Sequence, residues 1–268
     1  MYNKKRVCAI VTARMTNTRL PGKNLLKLND KPALQHIHER LSKVKYIDDI
    51  VIAIPADDLQ NEIIKLCDKY NWNYYMGSND DVLDRILCCA KFYSADVIVD
   101  ITGDCPLVCP KLVEEMIADH GRNKYSYVSN VISRTFPRGF DIQVFNTSLL
   151  ESIAKEVDNP VDRQHVTSWH YLNPKNHDKH DGMNIYNTDG KNIANYSRVR
   201  LTLDTTEDYM LLDLVFRSFK DNDFTYDDVQ KLIEQYPEMF MMNQNIEQKS
   251  YYDELSNYYL YGESDEKI

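Results

Sequence analysis

The apolar run Val7-Cys8-Ala9-Ile10-Val11 leads directly into Ala13-Arg14-Met15-Thr16-Asn17-Thr18-Arg19-Leu20-Pro21-Gly22-Lys23-Asn24, and no other stretch restricts the fold as much. A short, β-branched apolar run reads as a buried strand. Beyond the loop, Pro32 precedes a segment over 33–44 with Leu34, Ile37, Leu41 and Val44 at helical spacing. Strand, cationic loop and helix in that order make the opening unit of an open α/β sheet, where backbone N–H groups and a helix N-terminus face phosphate. Arg14, Arg19 and Lys23 supply the charge, Gly22 leaves room for close backbone approach, and Pro21 stiffens the turn. The loop is neither a dinucleotide fingerprint nor a Walker loop. It lacks G-x-G-x-x-G, and Asn24 follows Gly22-Lys23 where a Walker loop has Ser or Thr. On its residues alone, a solvated basic loop competes with phosphate binding.

The first half of the chain repeats this unit. Strands are predicted over 49–54, 73–76 and 96–101, with helices over 57–70 and 80–93. Such alternation predicts an α/β fold, a mostly parallel sheet with helices on both faces. Beyond residue 120 the rhythm changes. Strands are expected over 125–131 and 139–145, then helices over 147–156 and 161–171. A polar, His- and Asn-rich loop over 173–195 holds one short strand near 184–186. A strand over 199–203 and helices over 206–219 and 226–235 complete the pattern. We expect one domain over 1–240, with a small mixed β lobe over about 125–195. An acidic, tyrosine-rich extension follows over 241–268, for which an edge-packing arm, a dimer contact and partial disorder all stay open.

Composition narrows the class. A chain of 268 residues with 43% hydrophobic content can bury a full core. No run is long and apolar enough to span a membrane and residues 1–6 are polar, so no membrane partner is expected and a cytoplasmic location is the default. Lys and Arg number 32 against 41 Asp and Glu, a formal charge of −9 that argues against a nucleic-acid surface. It leaves nucleotide binding open, since a few local cations and a metal suffice. The six cysteines read as reduced thiols. Cys105 and Cys109 flank a proline-containing loop without a second Cys/His pair, which argues against zinc.

Asp104, in Thr102-Gly103-Asp104-Cys105-Pro106, follows the fourth strand at the end where open α/β sheets bind ligands; a turn cap is the competing reading. Asp204 ends the run Arg198-Val199-Arg200-Leu201-Thr202-Leu203-Asp204 on the polar face shared by Arg200 and Thr202. Its competing reading is an N-cap with Glu207 as the N3 partner. Ser78 and Asn79 precede a helix for which Asp80 is the expected cap. Asp141 and Gln143 share one face of a strand, and His165 lies on an amphipathic helix. No Ser/His/Asp triad or His-Glu-x-x-His motif stands out.

Taken as a set, Ala13-Arg14 through Arg19-Leu20-Pro21-Gly22-Lys23, Gly77-Ser78-Asn79-Asp80, Gly103-Asp104-Cys105-Pro106, Gly139-Phe140-Asp141, Asp162-Arg163-Gln164-His165-Val166-Thr167 and Leu203-Asp204-Thr205-Thr206-Glu207-Asp208 resemble bacterial cytidylyltransferases that activate sugar acids. The CMP-Kdo and CMP-sialate synthetases belong there, and the SpsF-like branch of spore-coat polysaccharide synthesis is the best match, over about residues 6–220. The resemblance implies a nucleotidyltransferase fold and transfer of CMP from CTP to a small-molecule acceptor, with release of pyrophosphate. It implies Arg14, Lys23 and Asp104 as catalytic residues, and Ala13, Arg14, Arg19, Gly22 and Lys23 around the triphosphate. Ser78 and Asn79 would read the base, and Asp104 and Asp204 would hold Mg²⁺. Arg138, Asp141, Gln143 and His165 would face the acceptor, with Arg134 or Arg138 pairing its carboxylate or phosphate. Two positions depart from the pattern: Asp100 stands where relatives carry Arg or Asn, and Gln143 where they carry Glu. A homodimer is expected. The alternatives are another nucleoside triphosphate, a phosphate- or phosphonate-bearing acceptor, and an inactive nucleotide-binding homologue, against which intact Lys23, Asp104 and Asp204 count.

Overall fold

The computed structural model describes residues 1–123, 125–132, 134–172, 183–185, 196–248 and 250–261. The run at the start of the chain becomes β1 (Val7–Thr12), inside a seven-stranded sheet. A two-stranded hairpin, β2 (Lys27–Leu28) and β3 (Lys31–Pro32), follows the cationic loop. The large sheet adds β4 (Asp49–Pro55), β5 (Asn73–Gly77), β6 (Val97–Thr102), β7 (Tyr127–Ser129), β8 (Gln143–Asn146) and β9 (Met183–Ile185). Their order is β5-β4-β1-β6-β8-β7-β9. β5, β4, β1 and β6 run parallel, and β8 turns antiparallel to both β6 and β7. The mixed strands expected over 125–195 thus continue the parallel sheet as its other half.

Burial on both faces explains the apolar runs, because successive strand residues point to opposite sides. Val7, Ala9 and Val11 join an apolar cluster with Leu34 and Ile37 of α1 (Ala33–Leu41), Ile63 of α2 (Asn61–Tyr70) and Val113 and Met116 of α4 (Pro110–Asn123). Cys8 and Ile10 face the other way, toward Leu83 and Ile86 of α3 (Val82–Phe92) and Leu150 and Ile153 of α5 (Thr147–Glu156). The α4 helix was not anticipated, although Pro110 at its first position and Leu112, Val113, Met116 and Ile117 along one face carry its signal. No helix among the described residues is long and apolar enough to cross a membrane. All six cysteines are free thiols.

Two expected elements differ. The helix over 161–171 breaks into α6 (Pro160–His165) and α7 (Ser168–Leu172), because Val166 between them takes φ +59°. The strand over 199–203 does not enter the sheet. Its backbone is shared between two loops: Leu201 N–H donates to the Arg138 carbonyl at 2.7 Å and Leu203 N–H to the Asp104 carbonyl at 2.9 Å. Helices α8 (Thr206–Arg217) and α9 (Tyr226–Gln235) follow as expected. In the acidic extension, α10 (Tyr251–Tyr261) packs on α6. Residues 262–268, and most of the expected loop over 173–195, lie outside the described residues.

Gly139 makes the approach of the 199–203 segment possible. Its φ is +104°, and a Cβ there would lie 2.1 Å from the Leu201 carbonyl oxygen. Gly139→Ala should therefore destabilise the fold by roughly 2–4 kcal/mol. Denaturant unfolding checks it, and an unchanged midpoint would refute the close-packing account.

Candidate active site

β1 and β6 are hydrogen-bonded neighbours whose last residues, Thr12 and Thr102, stand opposite each other. Chain order reverses across this pair, with β4 and β5 on one side and β8 on the other, so a crevice opens at the strands' carboxyl ends. A cavity of about 590 Å³ lies there. The cationic loop is stapled above it: Arg14 N–H donates to Asn24 Oδ1 at 3.2 Å, and Asn24 Nδ2 donates to the Gly103 carbonyl at 2.7 Å. Gln60, fully buried, takes the Met15 N–H at 2.9 Å. Gly22, at φ +68°, turns the chain into the short helical turn bearing Lys23, without itself lining the cavity.

Lys23 is the centre of the site. Its Nζ donates to Asp104 Oδ2 at 2.9 Å and to Asp204 Oδ1 at 2.7 Å. Burial opposes the charge on Lys23, yet the two aspartates outweigh it and hold its pKa above the ordinary lysine value. Burial likewise pushes Asp104 up, but Lys23 and the Thr102 hydroxyl hold its carboxyl below the usual carboxylate range. Arg19 pairs with Asp204 at 3.2 Å. Arg200 fixes the same carboxylate, donating to Asp204 Oδ2 at 2.9 Å and to both oxygens of Asp208 at 2.9 Å.

The cap readings fall differently from expectation. Thr205 caps α8, and Asp208 completes the capping box by accepting from the backbone N–H groups of Asp204 and Thr205, each at 3.0 Å. Asp204 and Glu207 form no such box, and the Asp204 carboxylate is left to the site. At α3 the cap is Asp81, accepting the Asp84 N–H at 2.8 Å, rather than Asp80.

Ala13, Arg14, Arg19, Lys23, Asp104 and Asp204 all line the cavity, as do Arg138, Asp141, Gln143 and His165. Ser78 and Asn79 do not. The Ser78 hydroxyl accepts the Asp81 N–H at 3.2 Å, and buried Arg85, which does line the cavity, holds the Ser78 carbonyl at 2.5 Å. Arg134 is engaged bidentately by Asp141 at 2.6 and 2.8 Å. Among the described residues, the Arg138 guanidinium forms no hydrogen bond or ion pair, which leaves it the available cation on this side. His165 Nε2 meets Glu254 Oε2 at 2.9 Å, and its ring packs edge-on to Tyr251. Through Gln248 and Glu254 the extension therefore reaches the cavity. Asp100 also lines the cavity; the sequence marks it by a carboxylate inside the apolar run Val97-Ile98-Val99-Asp100-Ile101, a signal not used above to place it in the site.

A profile of the cytidylyltransferase family matches residues 8–263, and the chain belongs to that family. The match takes in most of the extension, which the sequence resemblance had left out. A solved cytidylyltransferase from Leptospira borgpetersenii serovar Hardjo-bovis is similar at 30% identity with a TM-score of 0.81, over 92% of this chain and 100% of that one. A protein of Methanocaldococcus jannaschii is 33% identical over 249 residues, 92% of this chain and 98% of the relative. The spore coat polysaccharide biosynthesis protein SpsF of Bacillus subtilis is 29% identical over 215 residues, 78% and 85% of the two chains. This protein is accordingly an enzyme of the nucleotidyltransferase class.

Because Thr205 is the cap, Thr205→Ala should lower stability by about 1 kcal/mol. Asp204→Asn should leave the cap intact and lose turnover instead. Thermal melts beside rate measurements test this, and a stability loss confined to Asp204→Asn would return the capping role to Asp204.

Proposed function

We propose that the protein transfers CMP from CTP to a small sugar acid and releases pyrophosphate. The observation that supports this most is Lys23 held between Asp104 and Asp204 at the carboxyl ends of the central strands, beneath the loop that carries Arg14 and Arg19. Arg14, Arg19 and Lys23 neutralise the triphosphate, and no protein nucleophile is required, since nucleotidyl transfer rests on positioning and charge neutralisation.

The two aspartates suit Mg²⁺. Both accept from one ammonium, so their oxygens converge on one point, and hard Mg²⁺ takes one or two carboxylates together with phosphate oxygens and water. Among the described residues no group of three or more His, Cys, Asp or Glu side chains converges, which matches a metal completed by its nucleotide rather than an all-protein cage. The ion would polarise the α-phosphate for attack by an acceptor hydroxyl. Lys23 would then give up its carboxylates for the β- and γ-phosphates. On the acceptor side, Arg138 offers the charge for a carboxylate, and Asp141, Gln143 and His165 complete the wall. The family's cytidylyl chemistry and the SpsF relative, named for polysaccharide biosynthesis, support the sugar-acid reading over a phosphate- or phosphonate-bearing acceptor. The direct test is pyrophosphate release with Mg²⁺ across nucleoside triphosphates and a panel of sugar acids; a clear preference for UTP or GTP would sink the cytidylyl assignment.

Lys23→Ala should weaken CTP binding by about tenfold or more, some 1.4 kcal/mol, and CMP binding far less, since CMP lacks the phosphates the ammonium grips. Calorimetry on both ligands decides it, and equal losses would move Lys23 away from the β- and γ-phosphates.

Asp104→Asn and Asp204→Asn should each raise the Mg²⁺ requirement and slow turnover. The double variant should lose much less than the product of the single losses, as for residues serving one ion. Strictly multiplicative losses with an unaltered Mg²⁺ requirement would end the shared-metal idea.

A further inference from the structure

Beside the ion-paired centre lies a polar chain whose direction is set from one end. The Tyr127 hydroxyl donates to Gln143 Oε1, and so does Thr167 Oγ1 at 2.6 Å. Two donors on that oxygen fix the amide, so its NH₂ must point away from them. It points to Asp100, the residue opposite Gln143 in the β6–β8 pairing, and donates to Asp100 Oδ2 at 3.3 Å. The other oxygen, Asp100 Oδ1, is buried, has no partner among the described residues and belongs to a side chain in the cavity wall.

We propose that Asp100 determines acceptor specificity: its Oδ1 takes a hydrogen-bond-donating group of the acceptor, a hydroxyl or an ammonium. The inference rests on the transferase reading of the cavity and adds to it the polarity of one contact. An acceptor with an acid group on Arg138 and a donor group on Asp100 would engage a cation and a buried oxygen that, among the described residues, have no partner. A buried acceptor atom left without a donor is costly, and a bound donor removes that cost. Burial alone already pushes the Asp100 carboxyl up to about 7, consistent with a carboxylate short of a donor. The polarity also predicts what an isosteric change does. In Asp100→Asn the Gln143 NH₂ still demands an oxygen, so the asparagine must turn its own NH₂ to the cavity, and a donor then meets a donor.

The test uses the full chain with CTP and Mg²⁺, and two probes: Kdo, which offers hydroxyls, and its 8-amino-8-deoxy analogue, which offers an ammonium. Acceptor KM is read from pyrophosphate release, and the ¹³C carboxyl resonance of Asp100, assigned by its loss in Asp100→Asn, is followed during titration. A melt and a CTP titration of Asp100→Asn confirm that the variant folds and binds nucleotide. The expected result is a shift of the Asp100 resonance on saturation and an acceptor KM at least about tenfold higher in Asp100→Asn. Response to one probe and not the other identifies the donor as hydroxyl or ammonium. A resonance that moves with neither probe overturns the inference. So does an acceptor KM equal or lower in Asp100→Asn, which would mean that position 100 donates as a protonated acid. If the resonance moves but neither probe releases pyrophosphate, the Asp100 contact stands and the transferase reading for these acceptors falls.

Discussion

Everything at the candidate site depends on one ammonium held between two carboxylates. Asp104 follows the end of β6 and Asp204 ends a segment outside the sheet; the Leu203 N–H on the Asp104 carbonyl draws the two segments together, and Lys23 joins the carboxylates themselves. Two carboxylates this close and this shielded repel each other unless cations compensate them. Lys23 supplies such a cation at 2.9 and 2.7 Å. Its own place is set by the Asn24 bridge from the cationic loop to Gly103. On the proposed reading, a divalent ion and Lys23 want the same two carboxylates. The lysine thereby keeps the site assembled before the nucleotide arrives and becomes available to phosphate once it does.

Arg200 performs the same service one layer further out. Its guanidinium is divided among Asp204, Asp208 and Gln248. Asp208 in turn serves the α8 cap and the Asn243 side chain at 2.7 Å. A helix start, a site carboxylate and the extension are therefore joined through one buried ion-pair network. Removing one member of such a network leaves a buried charge without its partner, which is more damaging than the pair is stabilising.

The parallel half of the sheet was legible because burial on both faces forces apolar, β-branched runs, as in Val7 to Val11 and in Val51-Ile52-Ala53-Ile54. Lys23 was legible as a cation of the loop that follows the first such run, Asp104 as the carboxylate after the fourth, and Asp204 as the end of an alternating segment. The resemblance to known enzymes supplied their roles, and the structure supplied their meeting. What stayed hidden depends on partners distant in sequence. The 199–203 alternation looks like a strand, yet its hydrogen bonds go to Arg138 and Asp104 in two separate loops. Asp204 followed by Glu207 looks like a capping box, but one residue along, Thr205 and Asp208 make a better one. Val166 at φ +59° breaks a helix whose apolar periodicity runs straight through, and local composition does not announce that turn. Arg134 and Arg138 look equivalent as cations until Asp141 is seen to engage only the first.

The two walls of the cavity come from different parts of the chain, and this separates their functions. One wall is built from the first loop and the Gly103-Asp104 turn after β6, where strand order and loop position are dictated by the parallel sheet. The opposite wall is built from β8, Asp100 of β6, the α6–α7 break and the extension, where side chains hold one another: Tyr127 and Thr167 orient Gln143, Gln143 orients Asp100, and Glu254 holds His165. A wall fixed by backbone topology tolerates little change, whereas a wall fixed by side-chain hydrogen bonds can alter its polarity through one substitution. The break at Val166 is what lets this happen, since it places Thr167 against Gln143 while leaving His165 on the preceding turn to face Glu254. A continuous helix would have had to choose between those two contacts. On the proposed function, transfer chemistry and choice of acceptor would be carried by separate halves of one cavity, with the ion-paired centre at their boundary.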